Sequence, residues 1–211
     1  MDKKIKLIGG GILIVVVIVV GVMVVRPWLQ NRTVAVTTNE TILRPALNIA
    51  FTFPSGEKAY TFIEPFKVEG SDKPVGAFIM MKSKAYGVLQ DPDFVGETPP
   101  SMSIFVFAEP AESTTTVVAS GTPKLDRITK LRNWATANTL LTAYTIAKGT
   151  PEEVDLDGVK ALHYQADGLY PQDIYIAFYK NKYYLIVGQY DGEADPQRAV
   201  FQELVKSITF M

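Results

Sequence analysis

The stretch DIYIAFYKNKYYLIVGQY, residues 173–190, is the part of the sequence that most strongly indicates a fold class. It contains two runs, Asp173–Tyr179 and Tyr183–Tyr190, that are apolar or aromatic at nearly every position. Asn181 between them is typical of a tight turn. A strand with one solvated face alternates apolar with polar residues, so two continuous runs indicate a β-hairpin in a sheet that is covered on both faces.

The flanking sequence adds further strands and two helices. Asp157-Gly158 separates the apolar segments Val154–Leu156 and Val159–Ala166, which predicts a second hairpin. Helical spacing of apolar residues predicts helices over 123–138 and 196–206. We therefore predict an α+β domain with an antiparallel sheet of five to seven strands, flanked by helices on both faces as an α/β/α sandwich.

Three segments together resemble the PsbP-like superfamily, over residues 46–211. They are Phe51-Thr52-Phe53-Pro54, Asp157-Gly158-Val159-Lys160-Ala161 and the closing Leu204-Val205-Lys206-Ser207-Ile208-Thr209-Phe210. The resemblance implies an α/β/α sandwich around an antiparallel sheet and a non-catalytic role in binding or assembly. No functional residue is carried over from the family.

An uncharged run precedes the domain. Leu7–Val25 is 19 residues long and consists mostly of Val, Ile and Leu, enough for a helix to cross the hydrocarbon layer of a membrane. We predict a transmembrane helix over 7–27, with a cleaved signal peptide as the alternative. Lys3, Lys4 and Lys6 give the N-terminal side more positive charge than the other side, which favours a cytoplasmic N-terminus.

The resulting predicted order is a short basic cytoplasmic segment over 1–6, the transmembrane helix over 7–27, a linker over 28–45 and an extracytoplasmic domain over 46–211. Residues 33–211 carry 16 basic and 21 acidic groups, and this negative balance argues against a nucleic-acid partner. The predicted partners are membrane lipid, through the N-terminal helix, and another envelope protein or peptide.

The sequence contains few residues suited to catalysis or metal binding. It has no cysteine and a single histidine, His163, in a predicted strand, where a packing role is the expected one. Acidic groups at Asp91/Asp93/Glu97, Asp155/Asp157 and Asp191/Glu193/Asp195 lack the spacing of a calcium loop. We predict no catalytic residue, no metal site and no cofactor.

Residues 82–102 are predicted to form a long loop. The segment mixes Pro92, Pro99 and Pro100 with apolar side chains, and long loops of this kind are commonly functional. We predict Tyr86, Leu89 and Phe94 as partner-binding residues. The alternative is that these side chains pack against the edge of the sheet.

The sequence therefore favours a membrane-anchored extracytoplasmic module that binds or assembles other proteins. One alternative is a cell-envelope hydrolase, whose acids would come from the Asp/Glu clusters with a raised pKa on one of them. Asp191 and Asp195 are the residues that test it. A structural spacer domain is the other alternative.

Overall fold

The computed structural model describes residues 38–56, 59–64, 74–110 and 126–211. The predicted transmembrane helix over 7–27 lies outside these residues. Within the described ranges, no helix is both long enough and apolar enough to span a membrane.

The described part of the chain contains ten strands, four α-helices and two 3-10 helices, at Pro45–Leu47 and Tyr144–Ile146. The strands are β1 (Thr38–Arg44), β2 (Ile49–Ser55), β3 (Tyr60–Ile63), β4 (Gly76–Lys82), β5 (Ser101–Ala108), β6 (Ala147–Leu156), β7 (Val159–Asp167), β8 (Pro171–Tyr179), β9 (Lys182–Gln189) and β10 (Thr209–Phe210). The helices are α1 (Ser83–Leu89), α2 (Arg127–Ala137), α3 (Thr139–Thr142) and α4 (Gln197–Ser207).

All ten strands belong to one mixed sheet in the order β1-β2-β3-β4-β5-β9-β8-β7-β6, with β10 paired to β2. The pairings are antiparallel except between β2 and β3, which run parallel where Ser55 faces Tyr60. The two predicted hairpins are present as β6–β7 and β8–β9. Asp157 and Asn181 adopt positive φ angles of 51° and 58° in their turns.

The two faces of the sheet carry separate hydrophobic clusters. Helix α4 contributes Phe201 and Leu204 to the first, together with Tyr184 and Ile186 of β9. Helix α2 contributes Leu131 and Trp134 to the second, together with the alternate residues of β9. This alternation explains why β8 and β9 are apolar at nearly every position.

The predicted α/β/α sandwich is wrong. The domain is a ten-stranded mixed sheet with few helices, rather than five to seven antiparallel strands between helical layers. The first cluster also contains Ile42 of β1, Phe51 of β2 and Phe210 of β10. Strands of the same sheet therefore supply much of the apolar cover, and a run of apolar residues indicates burial without specifying whether a helix or a strand provides it.

Two segments differ locally from the sequence expectation. Thr38–Arg44, within the predicted linker 28–45, forms β1, whose side chains are mostly exposed apart from Ile42 and so show no apolar period. Ser83–Leu89, within the predicted loop 82–102, forms the two-turn helix α1. Its apolar residues are half-buried or exposed, which weakens the helical pattern.

Candidate functional site

A groove of about 520 Å³ crosses β7 and β8 and ends against the first turns of α4. We call it the strand groove. Its floor is formed by His163, Gln165, Asp173 and Tyr175, and its wall by Arg198 and Gln202. A second hollow, of about 340 Å³, shares His163 and Gln165 with it and continues toward β6.

Strand register places the floor residues side by side. His163 pairs with Tyr175 and Gln165 pairs with Asp173, so their side chains point to the same face. Arg198 and Gln202 are four residues apart in α4 and therefore lie on one side of that helix. Strands and a helix, rather than loops, hold most of the polar groups.

Asp173 is the centre of a polar network under the groove, and its side chain is only 2% exposed. Tyr190 donates its hydroxyl hydrogen to Asp173 Oδ2 at 3.0 Å, and Gln202 Nε2 donates to the same atom at 3.4 Å. Arg198 Nε lies 3.4 Å from Oδ2. The buried carboxylate thus has two donors and a cation on one oxygen.

These neighbours keep Asp173 ionised. Burial acts to raise the pKa of Asp173, but the nearby His163, the hydrogen bond from Tyr190 and the charge of Arg198 outweigh it and hold the pKa below its ordinary value. Burial also raises the pKa of Tyr190, and the adjacent Asp173 raises it further. Tyr190 therefore remains a donor to a negatively charged Asp173.

His163 faces the other carboxylate oxygen. Its Nε2 lies 3.5 Å from Asp173 Oδ1, and its ring stacks on Tyr175 with 4.2 Å between centroids. Both Nε2 and Oδ1 are buried, and neither has a hydrogen bond of good geometry to any described residue. His163 and Asp173 are therefore in polar contact at the floor of the groove without a hydrogen bond between them.

The loop before α4 closes one end of the groove through Asp195. This carboxylate accepts hydrogen bonds from the backbone N–H groups of Asp191 and Gln197, both at 3.0 Å, and from Lys82 Nζ at 3.0 Å. Burial acts to raise the pKa of Asp195, but these donors lower it overall. Asp195 thus holds the loop in place.

The lining of the strand groove consists largely of polar side chains. Among the described residues that line it, none is a serine, threonine or cysteine that the His163–Asp173 pair could activate. The groove does offer amide, guanidinium and carboxylate groups, which both donate and accept hydrogen bonds.

The predicted partner-binding residues lie elsewhere. Tyr86 and Leu89 are on α1 and Phe94 is in the loop that follows, all three are half-buried, and none lines the strand groove. The strand groove itself was missed because its residues are distant in sequence. The one available signal was Asp173, a lone acid at the start of an otherwise apolar strand.

In the described part of the chain, the acidic clusters bring no three His, Cys, Asp or Glu residues together in one place. Several of their oxygens instead stabilise turns. Asp155 Oδ1 accepts from Gly158 N at 2.7 Å, and Asp157 Oδ2 accepts from Phe210 N at 2.7 Å.

No protein-family model and no curated protein matches the chain. Among solved structures, it is similar to cyanobacterial PsbP (CyanoP) from Synechocystis sp. PCC 6803, with 14% identity, a TM-score of 0.48 and coverage of 85% of this chain and 96% of that one. A structure from Bacteroides thetaiotaomicron VPI-5482 has 12% identity and a TM-score of 0.39, over 82% of this chain and 48% of that one. Both TM-scores are below 0.5, and nothing about function is transferred from either.

Proposed function

We propose that the chain is a membrane-anchored extracytoplasmic binding module without catalytic activity, and that it recognises a polar segment of another envelope protein in the strand groove. The uncharged run Leu7–Val25 supports the anchor. The excess of positive charge at Lys3, Lys4 and Lys6 supports an exported C-terminal domain.

The observation that carries the binding role is the convergence of polar groups from rigid elements in one groove. Gln165 comes from β7, while Arg198 and Gln202 come from α4. A carboxamide both donates and accepts hydrogen bonds, so it pairs with the alternating N–H and C=O groups of a peptide.

The hydrolase alternative receives no support from the carboxyl groups. A general acid in such an enzyme needs a raised pKa. The described carboxyl groups whose pKa departs from its ordinary value, Glu64, Asp126, Asp173 and Asp195, are all shifted down. Asp195 is also engaged by three donors, which leaves it a structural role.

Site-specific photocrosslinking of the full chain in its membrane tests the proposal. A photoreactive residue at Ala199, which is exposed on the groove wall, should capture a protein partner. The same residue at Asn133, exposed on α2, is the matched control and should capture none. Combining the Ala199 probe with Gln202→Ala should reduce the yield severalfold, because that change removes a groove amide.

A spacer domain would give no saturable adduct at either position. Equal adducts at Ala199 and Asn133 would place the contact outside the groove and contradict the proposal.

A further inference from the structure

Large apolar side chains that remain exposed are unevenly distributed over the described residues. Of the eight that are at least 46% exposed, six lie in short helices and turns at one rim of the sheet. These six are Val88, Val95, Leu140, Leu141, Ile146 and Leu169. The other two, Leu43 and Val75, lie at the opposite rim.

Four of the six lie where the segment that leads into β6 approaches the β7–β8 turn. Ile146 directly precedes Ala147, which pairs with Ala166 of β7, and Leu169 is at the tip of the β7–β8 turn. Leu140 and Leu141 belong to α3, which ends five residues before the start of β6. We call Leu140, Leu141, Ile146 and Leu169 the apolar rim. Leu140 is 99% exposed and Leu169 is 66% exposed, so both project fully from the domain.

The apolar rim is almost free of net charge. Lys148 and Asp167, each two residues along the chain from a member of the rim, neutralise each other in an ion pair of 2.7 Å. Val88, at the end of α1, and Val95, in the loop that follows, are excluded because Asp91, Asp93 and Glu97 lie close to them along the chain. A neutral cluster of aliphatic tips suits the interface of a lipid bilayer, where burial of apolar area gives the affinity.

The chain enters the described domain at this same rim. Thr38 at the start of β1 pairs with Ser55, Ser55 with Tyr60, and Tyr60 with Lys82 at the end of β4. The same side of the sheet continues through Ser101 of β5 and Gly188 of β9 to Pro171 of β8 and Asp167 of β7. Thr38 and the apolar rim therefore lie at the same side of the sheet, along which the strand ends are aligned, although β1 and β6 are its two outermost strands.

The distance from Thr38 to the uncharged run is short. Residues 26–37 are the only ones between Val25 and Thr38, and twelve residues span at most about 43 Å when fully extended. Tethering at this distance raises the local concentration of the rim near a bilayer, so weak affinity suffices.

We infer that the apolar rim rests on the lipid surface and that Leu140 and Leu169 insert into its interfacial layer. The inference depends on the proposed anchor. Docking at this rim would leave Lys180 and Asn181, in the β8–β9 turn at the opposite rim, facing away from the bilayer.

The absence of cysteine from the sequence allows a direct test with single cysteines. Leu140→Cys and Leu169→Cys are each labelled with an environment-sensitive fluorophore in the full chain, reconstituted into phosphatidylcholine vesicles that contain a headgroup-linked nitroxide quencher. Leu43→Cys, at a leucine that is 54% exposed on the opposite rim, is the matched control. All three sites are exposed, so thermal melting should be unchanged.

We expect a blue-shifted emission at residues 140 and 169 and quenching at least threefold stronger than at residue 43. Flotation of the vesicles separates the two levels of the proposal. Chain that does not float with the vesicles contradicts the anchor, and with it the docking. Chain that floats while its residue 140 and 169 labels stay unquenched overturns the lipid contact and leaves the anchor standing. A blue shift that grows with the protein-to-lipid ratio assigns the rim to a second copy of the chain and also overturns it.

Discussion

Gly188 in β9 is required by the packing of two aromatic side chains. A Cβ atom at this position would lie 2.6 Å from Phe201 Cγ and 2.7 Å from Tyr190 Oη. Phe201 is fully buried, so it has no room to move away. We expect Gly188→Ala to lower the free energy of unfolding by about 3 kcal/mol, as overpacking of a core does.

Gly87→Ala is the matched control for this substitution. Gly87 lies within α1, and an added Cβ would meet no atom within 4 Å. Alanine is the better helix former, so this variant should gain about 0.5–1 kcal/mol. Chemical denaturation of both variants measures the difference. If Gly188→Ala were as stable as the wild type, the result would contradict the packing described for α4 against β9.

Asp173 should make stability depend on pH in the acid range. Its pKa is lower in the folded protein than in the unfolded chain, so the ionised form favours folding. This contribution is present above the unfolded pKa, about 3.9, and is lost as pH falls through the folded pKa. Asp173→Asn should cost about 3–5 kcal/mol at pH 7, because it leaves Arg198 and His163 without their buried partner.

The same substitution should flatten the loss of stability below pH 4. Denaturation curves between pH 2.5 and 7 measure this slope. Glu203→Gln, at an exposed carboxylate of the same helix α4, is the control and should follow the wild type at every pH. A slope that is unchanged in Asp173→Asn would show that other carboxylates govern acid unfolding.

At the scale of elements, the sequence was informative where local signals act alone. The Asp157-Gly158 turn needs positive φ angles that this pair adopts readily, and the β6–β7 hairpin is present as predicted. Helices are present at Arg127–Ala137 and Gln197–Ser207, close to the predicted ranges. Strand β1 was missed because its partner β2, and not its own composition, determines that it is a strand.

The segment after β4 provides a prediction at this scale, because Tyr86, Leu89 and Phe94 remain candidate partner contacts. Phe94 is half-buried and is not among the residues of either hydrophobic cluster. We expect Phe94→Ala to reduce the free energy of unfolding by only about 1 kcal/mol, since its ring is only partly buried and belongs to neither cluster. Partner capture from the membrane should fall if this element binds.

Phe62→Ala is the matched control, because Phe62 is also half-buried but packs against the first cluster. Its ring lies 5.6 Å from that of Phe53 and 6.1 Å from that of Phe78. This truncation should cost about 3 kcal/mol. A loss of similar size in Phe94→Ala would favour the packing role of the loop over the binding role.

At the scale of the whole molecule, the strand groove could not be predicted from sequence because it depends on register. His163 and Asp173 are ten residues apart along the chain, and only the antiparallel pairing of β7 with β8 brings them together. Arg198 and Gln202 reach the same carboxylate because α4, which follows β9, packs on the face of the sheet that carries Asp173. The order of residue types along the chain does not indicate which strands pair or in which register.

The proposed membrane topology predicts that residues 3 and 180 lie on opposite sides of the membrane. Because the sequence has no cysteine, single introduced cysteines can test this. Lys180→Cys places a thiol in the exposed turn between β8 and β9. A membrane-impermeant maleimide added to intact cells, after removal of any outer membrane or wall, should label it fully. Lys3→Cys is the matched control on the other side of the uncharged run and should react only after lysis. The expected asymmetry follows from the positive charge of Lys3, Lys4 and Lys6, which favours a cytoplasmic location of the N-terminal side. Labelling of residue 3 and protection of residue 180 in intact cells would reverse the orientation. Labelling of both would indicate that the run over 7–25 does not separate the two sites by a membrane.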